Sequence, residues 1–485
     1  KTFSGCWTCR DRRVKCDEGR PFCRRCTAAR VDCQGYDIKL RWKGSSPDNP
    51  AAMSSRNSHR SSLPIVRKPI ALPLTRAEVA AIQENLHGAQ HETSASSVGM
   101  FTNSLHLDFL PAPADQKELI HHWVHFLCSA MSPVARIDSP GHNLLTPIAL
   151  AGITSVFEET SGEIAVFHGI CAAAAYSLSQ LRDKNGHFQH LATKHRQLAL
   201  GHLRWSVESK KSANSESIWA AIHTFFVQEG VRGHAEEWRI HLKGLESLIL
   251  TNLQLIQKSI VARAVYESYL CLSIMGNVHS DVDLKSLLAK IPDLSIVGPM
   301  HGISHSILEI VYHINYLSSS TPMPSPTVLD RLELLLHLQS PGNFATEGLD
   351  KCSATILLHC AYTYYYATLI HFQRVLRKAA PDTLQDLVET AIGHLEAIES
   401  VGNEPKGCIW SWPCLVISAE CTLLRLQTRM LGWYASKERH GFVNLLVARR
   451  LSTQVWKQRT VNPERPEDVH WQQLTGGGEY DVIPL

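Results

Sequence analysis

Six cysteines crowd into the first 33 residues with the spacing C-x2-C-x6-C-x6-C-x2-C-x6-C: Cys6, Cys9, Cys16, Cys23, Cys26 and Cys33. The run divides into two similar halves, each C-x2-C-x6-C. A two-residue gap lets two thiolates grip one ion. A six-residue gap is about two helical turns, which predicts that the third cysteine returns to the side of the second. Structural zinc takes four ligands. Three thiolates per half leave each ion one short, and six cysteines fill eight positions only if two are shared. The spacing therefore predicts a cluster of two zinc ions with two bridging thiolates. A three-disulfide framework fits less well, because Lys1 to Trp7 carries no secretory signal and eight further cysteines remain. Those eight (Cys128, Cys171, Cys271, Cys352, Cys360, Cys408, Cys414 and Cys421) lie mostly in apolar surroundings and read as core packing.

Charge points to the partner of this head. Residues 1–43 hold twelve Lys and Arg against five Asp and Glu, whereas the chain as a whole is only +3. A basic head on a mildly acidic body is the pattern of a polyanion-binding module. Between Cys9 and Cys16 lies RDRRVK, four cations and one acid. Held on one face by a rigid metal core, such cations suit a duplex groove, where arginine pairs bidentately with guanine.

With the cysteines and their filler in view, CWTCRDRRVKCDEGRPFCRRCTAARVDC resembles the fungal Zn(II)2Cys6 binuclear cluster transcription factors. The resemblance implies that Cys6 and Cys23 bridge the two zinc ions. Cys9 and Cys16 then complete one site, and Cys26 and Cys33 the other. Pro21 matches the proline of the loop joining the halves. It further implies that Arg12 and Arg13 read a CGG-type triplet, that Arg10 and Lys15 support phosphate contacts, and that Arg24 and Arg25 meet phosphate. The activity implied is sequence-specific regulation of RNA polymerase II transcription in the nucleus, with double-stranded DNA as partner and no catalysis.

Residues 44–114 are rich in Ser, Pro, Asn and Gly and read as a flexible linker, interrupted by a short helical stretch over Thr75–Leu86. No sustained heptad follows, so the sequence offers no coiled coil to pair two copies.

From 115 to 485 the texture becomes that of an all-α domain. Leu119, Ile120, Trp123, Val124 and Leu127 form one apolar stripe. Helical spacing marks Ala165–Leu181, His190–Glu208, Ser217–Val227, Trp238–Thr251, Ser259–Met275 and Ser304–Leu317. It also marks Thr327–Leu338, Ser353–Val375, Thr383–Val401, Leu415–Trp433 and Gly441–Arg459. No uninterrupted apolar run reaches the ~18 residues of a membrane span. The segments YSLSQL, HFQHLATKHRQLALGHLR, SIWAAIHTFFVQEGVRGHAEEWRIHLKGLESLI and WSWPCLVISAECTLLRLQTRM are similar to the fungal-specific transcription factor regulatory domain. That likeness, patchy from about 115 to 460, implies an all-helical regulatory unit. A second copy of the chain, or a small-molecule effector or coregulator on the helical domain, is a further candidate partner.

Two competing readings use the same cysteines. A zinc-stabilised protein adaptor would normally use eight ligands, often with histidine, and lacks a basic insert. A zinc enzyme needs an open coordination position, which an all-cysteine closed cluster does not offer. His121 and His125 share a helical face at metal-binding spacing, but no acidic third ligand accompanies them.

Overall fold

In the computed structural model the described residues are 6, 8–9, 12–17, 23–29, 31 and 33, and then 110–484 except 111, 135–138, 155–159, 184, 210–214, 234–236, 345–347, 403–405, 463 and 476–481. Arg10, Pro21, the Thr75–Leu86 stretch and the linker as far as 109 lie outside them. The chain divides into two units, Lys1–Ser61 and Ser62–Leu485.

In the first unit, Thr8 and Cys9 are helical and a second short helix, α1, covers Arg24–Ala28. Its interior is sulfur: Cys6, Cys9, Cys23 and Cys26 are fully buried and Cys33 nearly so, with Val14 and Cys16 packed against them.

The second unit is helical throughout, with no strand among the described residues. Its longer helices are α2 (Ala114–His122), α3 (Thr146–Thr154), α4 (Ser161–Arg182), α5 (His187–Glu208), α6 (Glu216–Arg232), α7 (Glu237–Thr251) and α8 (Ile260–Met275). There follow α9 (His305–Ser318), α10 (Pro326–Leu338), α11 (Lys351–Val375), α12 (Gln385–Ser400), α13 (Ser411–Ala419), α14 (Leu424–Lys437) and α15 (Val443–Val461). Serine or aspartate opens several of them. Ser259 and Ser304, read from the sequence as first helical residues, are N-caps that accept the N–H of Ala262 and Ile307.

Helix α4 packs on α3, α5 and α6. It is long and apolar enough to cross a membrane by composition, although no uninterrupted run announces it, and 83% of that stretch is buried inside the helical body. A helix apolar on every face belongs in a core. Two glycines let α6 approach it closely. A Cβ at Gly162 would stand 2.1 Å from Ser217 Oγ, and one at Gly169 would stand 2.1 Å from Thr224 Oγ1. Both pairs step by seven residues, about two turns, so α4 and α6 run in the same direction. Helix α11 packs on α9, α12 and α13, and α13 on α15, which also meets α6.

Three expectations need correction. The helix predicted over Leu415–Trp433 is two helices, α13 and α14, broken at Glu420–Leu423. Glu420 is buried there and pairs with Arg374 Nε at 2.8 Å and Arg459 Nη2 at 2.7 Å. The side chain of Gln385 serves the broken backbone. Its Oε1 accepts the N–H of Thr422 at 3.0 Å, and its Nε2 donates to Glu420 O at 2.9 Å. Secondly, the stripe through Trp123 and Leu127 is helical but widens: Trp123–Leu127 is a π-helical turn continuing α2. Thirdly, seven of the eight scattered cysteines are buried, but Cys352 is exposed in the first turn of α11.

Candidate metal centre and nucleic-acid interface

The six N-terminal sulfurs form two groups of four. Cys6, Cys9, Cys16 and Cys23 make one, and Cys6, Cys23, Cys26 and Cys33 the other. Within each, the sulfurs lie within 4.8 Å of one another. Cys6 and Cys23 belong to both. The shared pair is 3.6 Å apart, Cys9 and Cys23 are 3.6 Å apart, and Cys6 and Cys26 are 3.7 Å apart. A tetrahedral zinc site with Zn–S bonds of about 2.3 Å has S···S edges of about 3.8 Å, so the donor set fits that ion. Cys9 and Cys26, one from each group, also approach to 3.7 Å, which draws the sulfurs into one core. No pair is near a disulfide length of about 2.05 Å. Burial pushes the thiols of Cys6 and Cys9 up, and that of Cys23 up to about 12. Thiolates in such surroundings need a cation to offset their charge.

The backbone repeats with an offset of seventeen residues. Cys9 N–H donates to Cys6 Sγ at 3.4 Å, as Cys26 N–H does to Cys23 Sγ at 3.3 Å. Cys6 N–H donates to Cys16 Sγ at 3.4 Å, as Cys23 N–H does to Cys33 Sγ at 3.5 Å. Val14 N–H reaches Cys9 O at 3.0 Å, as Val31 N–H reaches Cys26 O at 3.1 Å. The last pair is the closing bond of a Schellman helix end.

That helix end corrects the sequence argument. The third cysteine of the first half does not return by two continuous helical turns. The helix stops, Arg13 takes the left-handed conformation at φ 54°, and Cys16 arrives on non-helical backbone. Glycine normally fills this position, because a side chain there crowds the following carbonyl.

Arg12, Arg13, Lys15, Arg24 and Arg25 are all exposed. None forms an ion pair with another described residue. Arg10 is outside the described residues. The cations are distributed unequally over the two halves: Arg12, Arg13 and Lys15 follow the first helix, whereas Arg24 and Arg25 open α1.

Sequence reasoning gave Asp17 no role. Its carboxylate accepts the N–H of Arg24 at 3.0 Å and of Arg25 at 3.1 Å, capping α1 from the segment that follows Cys16. The same two bonds, the Arg25 N–H foremost, hold its carboxyl below the usual range. An acid facing a helix start seven residues away is invisible to a local cap search, although its place beside a metal-ligand candidate hints at it.

Elsewhere, His121 and His125 are exposed and lie against each other with ring centres 4.3 Å apart and planes tilted by 46°. They belong to no group of three metal-binding side chains among the described residues. Glu229, Glu237 and His241 do converge in the helical body. Cations already serve those carboxylates: Arg196 pairs with both, 2.7 Å from Glu229, and Arg232 lies 3.3 Å from Glu229 and 3.5 Å from Glu237.

The chain matches the family model of the fungal Zn(2)-Cys(6) binuclear cluster domain over residues 4–43, a domain that by its description holds two zinc ions. It matches that of the fungal specific transcription factor domain over residues 118–483. Both are transcription-factor families rather than enzyme families. Arginine metabolism regulation protein II of Saccharomyces cerevisiae is 64% identical over 42 residues, 9% of this chain and 5% of that protein. Pestheic acid cluster transcriptional regulator 3 of Pestalotiopsis fici is 28% identical over 159 residues, 28% of each chain. Transcriptional regulatory protein moc3 of Schizosaccharomyces pombe is 56% identical over 36 residues, 7% of each. The chain therefore spans less than a third of the length of each of these relatives. No solved structure matches. The match over 118–483 covers most of the chain and, with the cluster match ahead of it, makes this protein a member of the fungal-specific transcription factor family with an N-terminal binuclear zinc cluster.

Proposed function

We propose that the chain is a zinc-dependent, sequence-specific DNA-binding regulator of RNA polymerase II transcription, acting in the nucleus. Residues 1–43 form its DNA-binding domain, 44–114 its linker and 115–485 its regulatory domain. The observation that carries this reading is the pair of four-sulfur groups sharing Cys6 and Cys23, flanked by exposed cations. Cys6 and Cys23, the sulfurs common to both groups, would be shared by the two zinc ions, with Cys9 and Cys16 completing one site and Cys26 and Cys33 the other. When bound, zinc would supply the positive charge that keeps the six clustered thiolates together, and it would do no chemistry on DNA.

The chain's own residues do the rest. The helix end at Arg13 presents Arg12 and Arg13 to the major groove, where a guanidinium pairs with guanine O6 and N7 of a CGG-type triplet. Arg10, Lys15, Arg24 and Arg25 contact phosphates and set the orientation without reading sequence. Asp17 fixes the start of α1 and with it the backbone that carries Arg24 and Arg25. The helical domain serves regulation through a small molecule or coregulator. Half-site spacing in the bound DNA decides between a monomer on one triplet and a homodimer on two.

Metal analysis and gel shifts on the full chain test the proposal together. Two zinc ions per chain are expected, DNA binding ends on chelation, and Cys6→Ser or Cys23→Ser disrupts both sites at once. One zinc per chain, or DNA binding indifferent to chelator, would sink it.

A further inference from the structure

The start of α1 breaks a local rule. Arg24 and Arg25 are the first two residues of this five-residue helix, and no acidic side chain lies in its first turn. A cation there opposes the positive end of the helix dipole, and so short a helix is marginal by itself. The missing acid comes from elsewhere in the cluster. Asp17 Oδ2 accepts the Arg24 N–H at 3.0 Å, and Oδ1 accepts the Arg25 N–H at 3.1 Å. Cys23 Sγ accepts the next N–H, that of Cys26, at 3.3 Å. The three leading N–H groups of α1 are thus all taken, and what this helix end offers to a phosphate is its two side chains.

The direction of the Asp17 carboxylate preserves those side chains. Its two oxygens face backbone N–H groups, and neither guanidinium forms an ion pair among the described residues. The acid therefore holds the backbone and leaves Arg24 and Arg25 exposed. Its place in the chain matters as well. Asp17 follows Cys16, which belongs to one four-sulfur group, and α1 contains Cys26, which belongs to the other. The two bonds tie the half that carries Arg12, Arg13 and Lys15 to the helix that carries Arg24 and Arg25.

We propose that Asp17 is a positioning residue that sets the phosphate-contacting arginines against the base-reading ones, and so governs affinity and its salt dependence without governing base preference. The inference rests on the DNA-binding reading above. In the absence of Asp17 the leading N–H groups turn to water, the first turn of α1 loosens, and the two guanidiniums lose their fixed approach to the duplex.

Fluorescence anisotropy of the full, zinc-loaded chain on cognate and scrambled duplexes, over a range of salt, tests the residue. Each phosphate contact contributes about 0.9 to the slope of log affinity against log salt, so the loss of two in Asp17→Ala flattens it by about 1.8. From about 50 to about 200 mM salt, the gap between wild type and variant then narrows about twelvefold. The cognate-to-scrambled ratio and the zinc content are expected to match wild type. Asp17→Asn keeps an accepting oxygen for one of the two N–H groups and is expected to recover about half of the lost slope. In a chain that already carries Arg24→Ala and Arg25→Ala, Asp17→Ala is expected to flatten the slope no further. An unchanged slope in Asp17→Ala, a fallen cognate-to-scrambled ratio, loss of zinc, or added flattening in the arginine double variant overturns the proposal. A wild-type chain that binds neither duplex, or binds them equally well with chelator present, overturns the DNA-binding reading and the proposal with it, and shows before any variant is made.

Discussion

Arg13 combines two demands that one substitution can separate. Its backbone sits in the left-handed region at φ 54°, closing the first helix through the Val14 N–H to Cys9 O bond. A side chain there costs about 1 kcal/mol relative to glycine. Its guanidinium, if it pairs with a guanine edge, contributes about 1–3 kcal/mol of discrimination. Arg13→Gly therefore relaxes the backbone by about 1 kcal/mol and removes the reader, lowering the preference for a cognate duplex about 5- to 150-fold. Arg13→Ala removes the reader and keeps the strain. Two assays on the full chain resolve these effects: fluorescence anisotropy on cognate and scrambled duplexes, and the rate of zinc loss to a competing chelator. Both variants should lose preference equally, and the glycine variant should hold zinc at least as well as wild type. Retained preference in Arg13→Gly would refute the reader assignment. Faster zinc loss in that variant would refute the backbone argument, because the arginine would then be stabilising the fold itself.

Two further expectations concern the helical body. Glu420→Ala leaves the Arg374 and Arg459 guanidinium groups buried at 1% and 7% side-chain exposure without their carboxylate, a loss of about 3–5 kcal/mol that calorimetric unfolding should register. Glu438→Ala, which breaks the exposed pair with Arg449, should leave the melting temperature almost unchanged, and equal effects would contradict the burial argument. Burial lowers several histidines, His195 and His371 to about 4 and His241 to about 3, so the unfolded chain binds protons first as the pH falls. Stability is then complete above about pH 6.5 and declines from there towards pH 4. A melting temperature that stays flat between pH 7 and pH 4.5 would show that these rings are not held neutral.

The cysteine spacing announced the metal core because its chemistry is counted rather than packed: six thiolates and four-coordinate ions leave few arrangements. The route between the ligands was not legible. Spacing alone reads x6 as two helical turns, whereas the chain leaves the helix at Arg13, a residue whose left-handed backbone no composition rule assigns. Asp17 escaped notice for a related reason, since the helix it caps begins seven residues later. In the helical body, apolar periodicity located the long helices such as α4, α5 and α11, whose buried faces repeat over many turns. It failed where polar side chains decide. The α13–α14 break depends on Glu420 accepting two distant arginines and on Gln385 serving the interrupted backbone, contacts that link residues 35 to 46 positions apart. The short helices Leu255–Lys258, Leu284–Leu288 and Gly298–His301 carry too few turns to show a period.

Selection of bound sequences from a pool of random duplexes by the full chain, with zinc present and after chelation, tests the central claim most directly. The account predicts enrichment of CGG-type triplets with zinc, at a fixed spacing if two copies bind together, and no enrichment once zinc is removed. A pool that stays unenriched with zinc present, or enrichment that survives chelation, would contradict it.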